Sequence, residues 1–457
     1  MHIIPSVEKK NWRSVGGVMP AIRHAAAFAL LVLTAFAGAL PAQADERPAP
    51  QQVLRDWYGL MNELVRHTAT YSPPVAARSF GYLGVTAYEA AAGGSGELVS
   101  LAGQLNAFES VPQREAGAAY DEAVVINAAM SKAIVYYFGT TGPTGQRAIK
   151  AAQSKWRARA IEGVPEDVVR RSEAFGEAVA ASIHEWSLGD GGATITNMGF
   201  PEQMDLPSGD DKWVPTSAIR QQQLPLLPGW GNNRTFVIPS GATCATPGPP
   251  PFSTEPESQF YKEAAEVHEA VRNATPEMEA IARFWSDDPM LTMTPPGHWI
   301  SIAMQAAQRA DLSLEDTVDV LARMGVAMSD AFVGCWHEKF VYNLVRPVTY
   351  IKRVIDPNWQ PLLITPPFPE YPSGHSTVSG AMDAVLTAFF GDDYAFEDET
   401  GTPDGRKPRS FGSFHEAAEE AGISRLYGGI HYRSAIVDGL VQGRCIGQYA
   451  VALKTRR

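Results

Sequence analysis

Residues 371–376 read Tyr-Pro-Ser-Gly-His-Ser, and apolar residues at helical spacing follow from Val378 onwards. The proline and the glycine favour a turn, so Ser373 is predicted to lie near the start of a helix. Free backbone N–H groups and the helix dipole attract an anion at such a position. Gly374 lacks a side chain that would block close approach, and His375 could transfer a proton near neutral pH. In isolation, this stretch is equally compatible with an ordinary N-cap turn.

A second segment, residues 339–347, places two cations on one predicted helical face. Lys339 and Arg346 are seven residues apart, which is nearly two helical turns. The lysine supplies a compact point charge, and the arginine supplies a planar fork that suits an oxyanion. Taken alone, such a pair is more typical of a solvated helix face.

A third segment, residues 424–431, adds another cation and another histidine. Arg425 would be a further partner for an anion. A neutral nitrogen of His431 can act as a nucleophile or as a metal ligand. On its own, a histidine near a helix is more often a structural residue than a ligand.

Taken in order, the three segments resemble the three-part signature shared by type 2 phosphatidic acid phosphatases, bacterial acid phosphatases and vanadium haloperoxidases. The resemblance implies that five residues bind the oxygens of vanadate or phosphate: Lys339, Arg346, Ser373, Gly374 and Arg425. It implies that His431 is the vanadate ligand, or the phosphorylated nucleophile of a phosphatase. It also implies that His375 is the general acid or base.

The flanking residues are more similar to the vanadium chloroperoxidase branch than to the small phosphatases. Phe368 matches an aromatic residue above the vanadate in that branch, and Trp336 also fits the branch. Asp287 lies seven residues before a Thr-Pro-Pro stretch. The resemblance implies that Asp287 contacts Arg425 from outside the anion site. It covers about residues 280–450.

One position departs from the phosphatase pattern. Many of those enzymes carry an aspartate four residues after the last histidine, but this chain has Ala435 there. Such an aspartate would orient the imidazole and raise its nucleophilicity. Asp438 lies on the same predicted helical face and could reach partway. The change counts against phosphohistidine chemistry, and less strongly against His431 as a ligand.

The remainder of the chain predicts an all-α fold, with helical bundles of the vanadium chloroperoxidase and acid phosphatase type. Residues 45–188 have the spacing of consecutive helices. Glycine, proline, aspartate and asparagine cluster in residues 189–252, which predicts a long irregular excursion. Helical spacing resumes in residues 253–457, the predicted oxyanion-binding domain.

The N-terminal residues predict where the protein is located, and the net charge limits the partners that it can bind. Residues 1–44 combine a basic start, a short apolar run and an Ala-Gln-Ala end, which predicts a signal peptide and export to the periplasm or the medium. The apolar run is too short for a stable membrane anchor. The net charge of −12 disfavours nucleic acid as a partner.

Several other polar or reactive residues are interpreted as structural and not as part of a functional site. The three cysteines allow at most one disulfide: Cys244, Cys335 and Cys445. Core packing is the expected role of His298 and Trp299. An acidic stretch does not have EF-hand spacing, so a solvated loop is favoured over a calcium site. It comprises Asp392, Asp393, Glu397, Asp398 and Glu399.

Three functions remain open from the sequence. The leading hypothesis is a vanadate-dependent haloperoxidase that oxidises halide with hydrogen peroxide, in which Lys339 polarises the peroxide. The second is a periplasmic acid phosphatase that binds a phosphate monoester and forms a phosphohistidine. The third is a non-catalytic oxyanion-binding helical protein, supported by Ala435. The oligomeric state is not indicated by the sequence.

Overall fold

A computed structural model describes residues 47–217 and 223–457 of the chain. The predicted signal peptide, residues 1–44, lies outside the described residues and stays a prediction. Thirteen α-helices and one two-stranded hairpin account for the regular structure of the described ranges, apart from short 3-10 turns and isolated bridges. The all-α prediction is therefore confirmed. None of the helices in these ranges has both the length and the apolar character that a membrane span requires.

The first half of the chain forms five helices. They are α1 (Pro50–Arg66), α2 (Pro73–Ala92), α3 (Glu122–Phe138), α4 (Pro143–Ala160) and α5 (Glu166–Leu188). Three of them begin with proline, whose fixed φ and missing N–H suit the first helical position. The N-terminus of α3 is capped by Asp121, which accepts a hydrogen bond from the backbone N–H of Val124.

The second half forms eight helices and the hairpin. The helices are α6 (Gln259–Arg272), α7 (Pro276–Phe284), α8 (Thr294–Arg309), α9 (Leu314–Tyr342), α10 (Pro347–Val354), α11 (Gly374–Phe390), α12 (Phe414–Tyr427) and α13 (Arg433–Val451). The antiparallel strands are β1 (Phe396–Asp398) and β2 (Arg409–Phe411).

Helix α9 lies at the centre of the core. Its 29 residues are buried along most of their length, and it packs against α2 from the first half and against α11 and α13 from the second. Helices α11 and α13 approach closely because they meet at glycines. A Cβ atom at Gly380 or Gly443 would overlap the backbone of the facing helix.

The middle segment, residues 189–252, contains only two 3-10 turns in its described part, Asn197–Gly199 and Trp230–Asn232. Its backbone is held by α9 instead of by regular structure of its own. The buried Asp330 carboxylate accepts hydrogen bonds from the N–H groups of Phe236, Val237 and Ile238, at 2.6, 2.8 and 3.0 Å. These bonds satisfy irregular backbone that would otherwise be buried without partners.

The cysteines follow the sequence expectation of at most one disulfide. Cys244 in the middle segment is bonded to Cys445 on α13, and Cys335 on α9 is a buried free thiol. The disulfide is a second link between the middle segment and the C-terminal helices.

Replacing Asp330 with alanine is expected to lower the free energy of unfolding by about 3 kcal/mol, because hydrogen bonds to a charged group contribute strongly and three buried donors would lose their acceptor. Chemical denaturation measures the change. Asp393→Ala, at an exposed position, is the control and should change the stability by less than about 0.5 kcal/mol. Equal stability of the two variants would contradict this role for Asp330.

Candidate active site

A cavity of about 400 Å³ lies between the ends of the helices that carry the three predicted segments. Four predicted site residues line it: Gly374, His375, Arg425 and His431. Three predicted neighbours of the site line it as well: Asp287, Trp336 and Phe368. The remaining predicted residues, Lys339, Arg346 and Ser373, are fully buried just behind its wall. The structure therefore brings all three segments to one place.

His431 presents an unprotonated ring nitrogen to buried positive charge. It follows α12 through a turn in which Gly429 has a φ of 78°, a conformation that favours glycine. Its Nδ1 lies 2.8 Å from Oε1 of Glu370, and its Nε2 lies 3.2 Å from Nη1 of Arg346. Burial and the surrounding cations hold the pKa of His431 well below its usual value. The imidazole is therefore neutral, with its proton on Nδ1 and a lone pair on Nε2.

Glu370 orients this imidazole, and the sequence analysis missed it. Its Oε1 accepts hydrogen bonds from His431 and from the backbone N–H of Tyr432. Burial raises the pKa of Glu370, and the charge of Arg346 opposes that rise. The carboxylate of Asp438, which was expected to reach partway towards the imidazole, accepts a hydrogen bond from the Tyr371 hydroxyl. The only signal for Glu370 was its place directly before residues 371–376.

Two buried arginines keep N–H groups without a protein partner. Arg346 donates from Nε to the carbonyl oxygen of Phe368 and from Nη1 to that of Ile430, at 2.9 and 2.8 Å. Arg425 donates to the carbonyl oxygen of Trp285. Among the described residues, Nη2 of Arg346 and Nε of Arg425 have no acceptor. Burial lowers the pKa of each guanidinium to about 10, so both are charged at neutral pH.

Lys339 is directed towards backbone oxygens. Its Nζ donates to the carbonyl groups of Pro369, Glu370 and Pro372, at 2.9, 3.0 and 2.5 Å. An ammonium group has three protons, so all three are engaged. Burial lowers the pKa of Lys339 to about 8. A direct contact between Lys339 and a bound anion stays a prediction.

The start of α11 lies where the turn in residues 371–376 predicted it. The Ser373 hydroxyl accepts a hydrogen bond from the N–H of Ser376, so this side chain acts as an N-cap. Gly374 and His375 line the cavity in the first turn. Burial, followed by the charges of Arg425 and His298, holds the pKa of His375 well below its usual value. Its Nε2 is buried without a hydrogen-bond partner among residues 47–217 and 223–457, and it lies 3.9 Å from Oδ2 of Asp287.

Aromatic rings form one wall of the cavity. The ring centroids of Trp336 and Phe368 are 4.9 Å apart, and the Phe368 ring lies 5.2 Å from the Lys339 ammonium and 5.0 Å from the Arg346 guanidinium. The indole N–H of Trp336 donates to the carbonyl oxygen of Leu226 in the middle segment. The wall therefore excludes water on one side of the cations and is fixed by the middle segment.

The N-terminal helical half and the middle segment also contribute residues to the cavity, which the sequence did not indicate. The middle segment provides Met198, Phe200 and Leu226, and the N-terminal helical half provides Ala69, Ser72 and Pro73. The backbone N–H of Leu226 donates to the carbonyl oxygen of Pro367, beside the aromatic wall. The cavity is thus built from all three predicted parts of the chain.

Behind Asp287 lies a buried group of three charged side chains, Asp287, His298 and Asp398. Nδ1 of His298 lies 3.0 and 3.1 Å from the two oxygens of Asp287, and its Nε2 lies 2.8 Å from Asp398. In the described residues, Asp287 thus pairs with His298 and not with Arg425. Asp398 is fully buried, so its assignment to a solvated loop was wrong. The described residues contain no cluster of His, Cys, Asp and Glu suited to a metal ion.

Comparisons with known proteins identify the family of this chain. The family described as the VCPO second helical-bundle domain matches residues 319–457. A solved bacterial vanadium-dependent iodoperoxidase is 36% identical, with a TM-score of 0.79 over 90% of this chain and 98% of that one. The chain belongs to the vanadium haloperoxidase family.

Two further vanadium haloperoxidases are more distant. The vanadium chloroperoxidase of Curvularia inaequalis is 25% identical over 271 residues, and the match covers 44% of each protein, less than half of that relative. The solved holo-form of a bacterial vanadium-dependent chloroperoxidase is 16% identical, with a TM-score of 0.66 over 88% of this chain and 95% of that one. At that identity the likeness shows the fold alone.

The pH dependence of stability tests the charge state of His298. Burial alone lowers its pKa, but Asp287 and Asp398 overcome that effect and raise the pKa to about 10 from 6.5. The stabilisation from His298 should be complete below pH 6.5 and decline as the pH rises towards 10. We expect the difference in Tm between the wild type and His298→Gln to shrink over this range.

The control is Asp190→Asn, which removes the carboxylate of another buried ion pair. Its cationic partner is Arg78, with 2.6 Å between Nε and Oδ2. A guanidinium stays charged over this range, so the Tm difference for the control should be nearly constant. A constant difference for His298→Gln as well would show that its imidazole is not the titrating partner.

Proposed function

We propose that this vanadium haloperoxidase uses vanadate to oxidise a halide with hydrogen peroxide. The observation that carries the proposal is the neutral His431, whose Nε2 lies 3.2 Å from the buried Arg346 guanidinium in a cavity that Arg425 also lines. A lone pair next to concentrated positive charge suits a ligand site for an oxyanion of a metal. Membership of the family supports the same activity.

The residues present fit the cofactor. Within the part of the chain that the structure describes, Arg346 and Arg425 each have a buried N–H group without an acceptor, and a bound oxyanion would supply the missing acceptors. Gly374 begins α11 and lines the cavity, and the first backbone N–H groups of a helix are suited to bind an anion. His431 would be the ligand, and the arginines and Gly374 would hold the oxygens. When bound, vanadate supplies Lewis-acid activation of peroxide.

The side chains of the chain hold and move protons at defined atoms. Glu370 keeps the proton of His431 on Nδ1, so Nε2 stays available as a ligand. His375 is neutral and lines the cavity, which suits it to accept a proton from peroxide and to return it later. The complete reaction consumes one proton, one halide ion and one peroxide, and it yields hypohalous acid and water.

Iodide is the halide that we propose. The solved structure with 36% sequence identity to this chain is a vanadium-dependent iodoperoxidase. Phe332, Trp336 and Phe368 make part of the cavity apolar. A large halide loses less hydration energy than a small one when it enters such surroundings, because the Born cost falls with ionic radius.

A phosphomonoesterase remains the second candidate, and one observation favours it. The hydrogen bond from His431 to Glu370 supplies the orientation that Ala435 does not provide. The sequence argument against a histidine nucleophile is therefore weaker than it was. The same hydrogen bond removes the main support for a non-catalytic oxyanion-binding protein.

Activity of the purified chain tests these functions. After loading with orthovanadate, we expect peroxide-dependent oxidation of iodide, followed as triiodide. His431→Ala should reduce it to the rate of the vanadate-free protein, because the ligand is lost. The vanadate-free protein is assayed with p-nitrophenyl phosphate. Hydrolysis without iodide oxidation would instead establish the phosphatase.

Glu370→Gln is expected to weaken vanadate binding about 10-fold to 100-fold, because loss of a carboxylate that orients a ligating histidine typically has this effect. Equilibrium dialysis of orthovanadate measures the affinity. Asp438→Asn is the matched control, since Asp438 contacts Tyr371 and not His431. It should bind vanadate like the wild type, and equal losses in both variants would contradict the role of Glu370.

A further inference from the structure

We propose that His298 is a positioning residue that bridges Asp287 and Asp398 and thereby holds residues 285–288 against the anion site. This inference rests on the proposed function, since it concerns the geometry of the oxyanion site. His298 does not line the cavity itself. Its influence would pass through the segment that it anchors.

Residues 285–288 contact two groups of the site. The carbonyl oxygen of Trp285 accepts a hydrogen bond from Nη1 of Arg425. Oδ2 of Asp287 lies 3.9 Å from Nε2 of His375, the candidate acid or base. A displacement of this short segment would therefore move the partners of both Arg425 and His375.

The segment has no regular structure of its own. It follows the end of α7 and belongs to no helix or strand. Asp287 has a φ of 49°, in the left-handed region that is unfavourable for residues other than glycine, though aspartate tolerates it better than most. Such a conformation persists only where the surroundings impose it.

His298 supplies that constraint from the first turns of α8. Its two ring nitrogens contact Asp287 on one side and Asp398 on the other. Asp398 is fixed in turn, because it ends β1 and its Oδ1 accepts a hydrogen bond from the N–H of Thr400. The Trp285 ring also stacks on His298, with centroids 4.5 Å apart and planes at 22°.

A neutral side chain cannot replace this bridge. Each ring nitrogen faces a carboxylate, so both nitrogens must donate, and only the imidazolium does so. Asp287 and Asp398 are 4% and 0% exposed. Without the cation, two carboxylates would stay buried and uncompensated, which is strongly unfavourable. Movement of Asp287 towards the cavity, and towards water, would relieve this.

An ordinary buried ion pair would stabilise the fold without affecting the cavity, and binding measurements distinguish the two roles. His298→Gln and Asp398→Asn are compared with the wild type as vanadate-free proteins. Isothermal titration calorimetry with inorganic phosphate and with orthovanadate gives Kd, and thermal unfolding gives Tm. Asp398→Asn keeps the imidazole and alters a residue outside the cavity. If His298→Gln does not fold, the comparison of Asp398→Asn with the wild type provides the test.

We expect at least a tenfold increase in both Kd values for each bridge variant. Asp190→Asn, which breaks the buried pair with Arg78, is the matched control. It should lower Tm and leave both Kd values unchanged.

Two contrary results are distinguishable. Unchanged Kd values in His298→Gln and Asp398→Asn, with Tm lowered as in the control, would overturn the positioning role and leave the proposed function intact. A wild-type protein that binds neither phosphate nor orthovanadate would overturn the proposed function, and the positioning role with it.

Discussion

The structure depends on the burial of positive charge around one small cavity. Two guanidinium groups and an ammonium group are removed from water within an acidic chain of net charge −12. Burial lowers the pKa of each of them, which measures the cost of keeping them charged. Carbonyl oxygens satisfy part of this charge, and Glu370 is the carboxyl group that contacts His431. The remaining positive potential is the physical reason that the cavity suits an anion.

Short-range patterns in the sequence were sufficient for the helices, whereas the cation set was assigned from the resemblance of the three segments to a family signature. Helical spacing, proline at helix starts and the turn in residues 371–376 depend on residues a few positions apart. Each of the three segments taken alone left an ordinary structural role open, and their order along the chain carried the resemblance; the structure brings them together. Ser373 shows the limit of such reading, because its side chain caps α11 as an ordinary N-cap serine does.

The residues that orient the site could not be inferred in this way. Glu370 lies 61 residues before the histidine that it contacts, and Asp398 lies 100 residues after His298. Pairings of this kind follow from tertiary packing and have no periodicity. The presence of Ala435 in place of an aspartate suggested that the His431 imidazole is not oriented. The fold instead supplies the carboxyl group of Glu370, from an earlier part of the chain. The acidic stretch containing Asp398 was misread because its composition resembles that of a solvated loop.

Helix α9 connects the outer wall of the cavity with its charged interior. Asp330 anchors the middle segment, Trp336 lies in the aromatic wall and Lys339 lies beneath the anion site, all on one continuous helix. A single inserted residue between Asp330 and Lys339 would rotate the later positions by about 100° and shift them by about 1.5 Å. Asp330 and Lys339 could then no longer both face their present partners. Length variation among natural homologues should therefore accumulate in the irregular connections and be excluded from this part of α9.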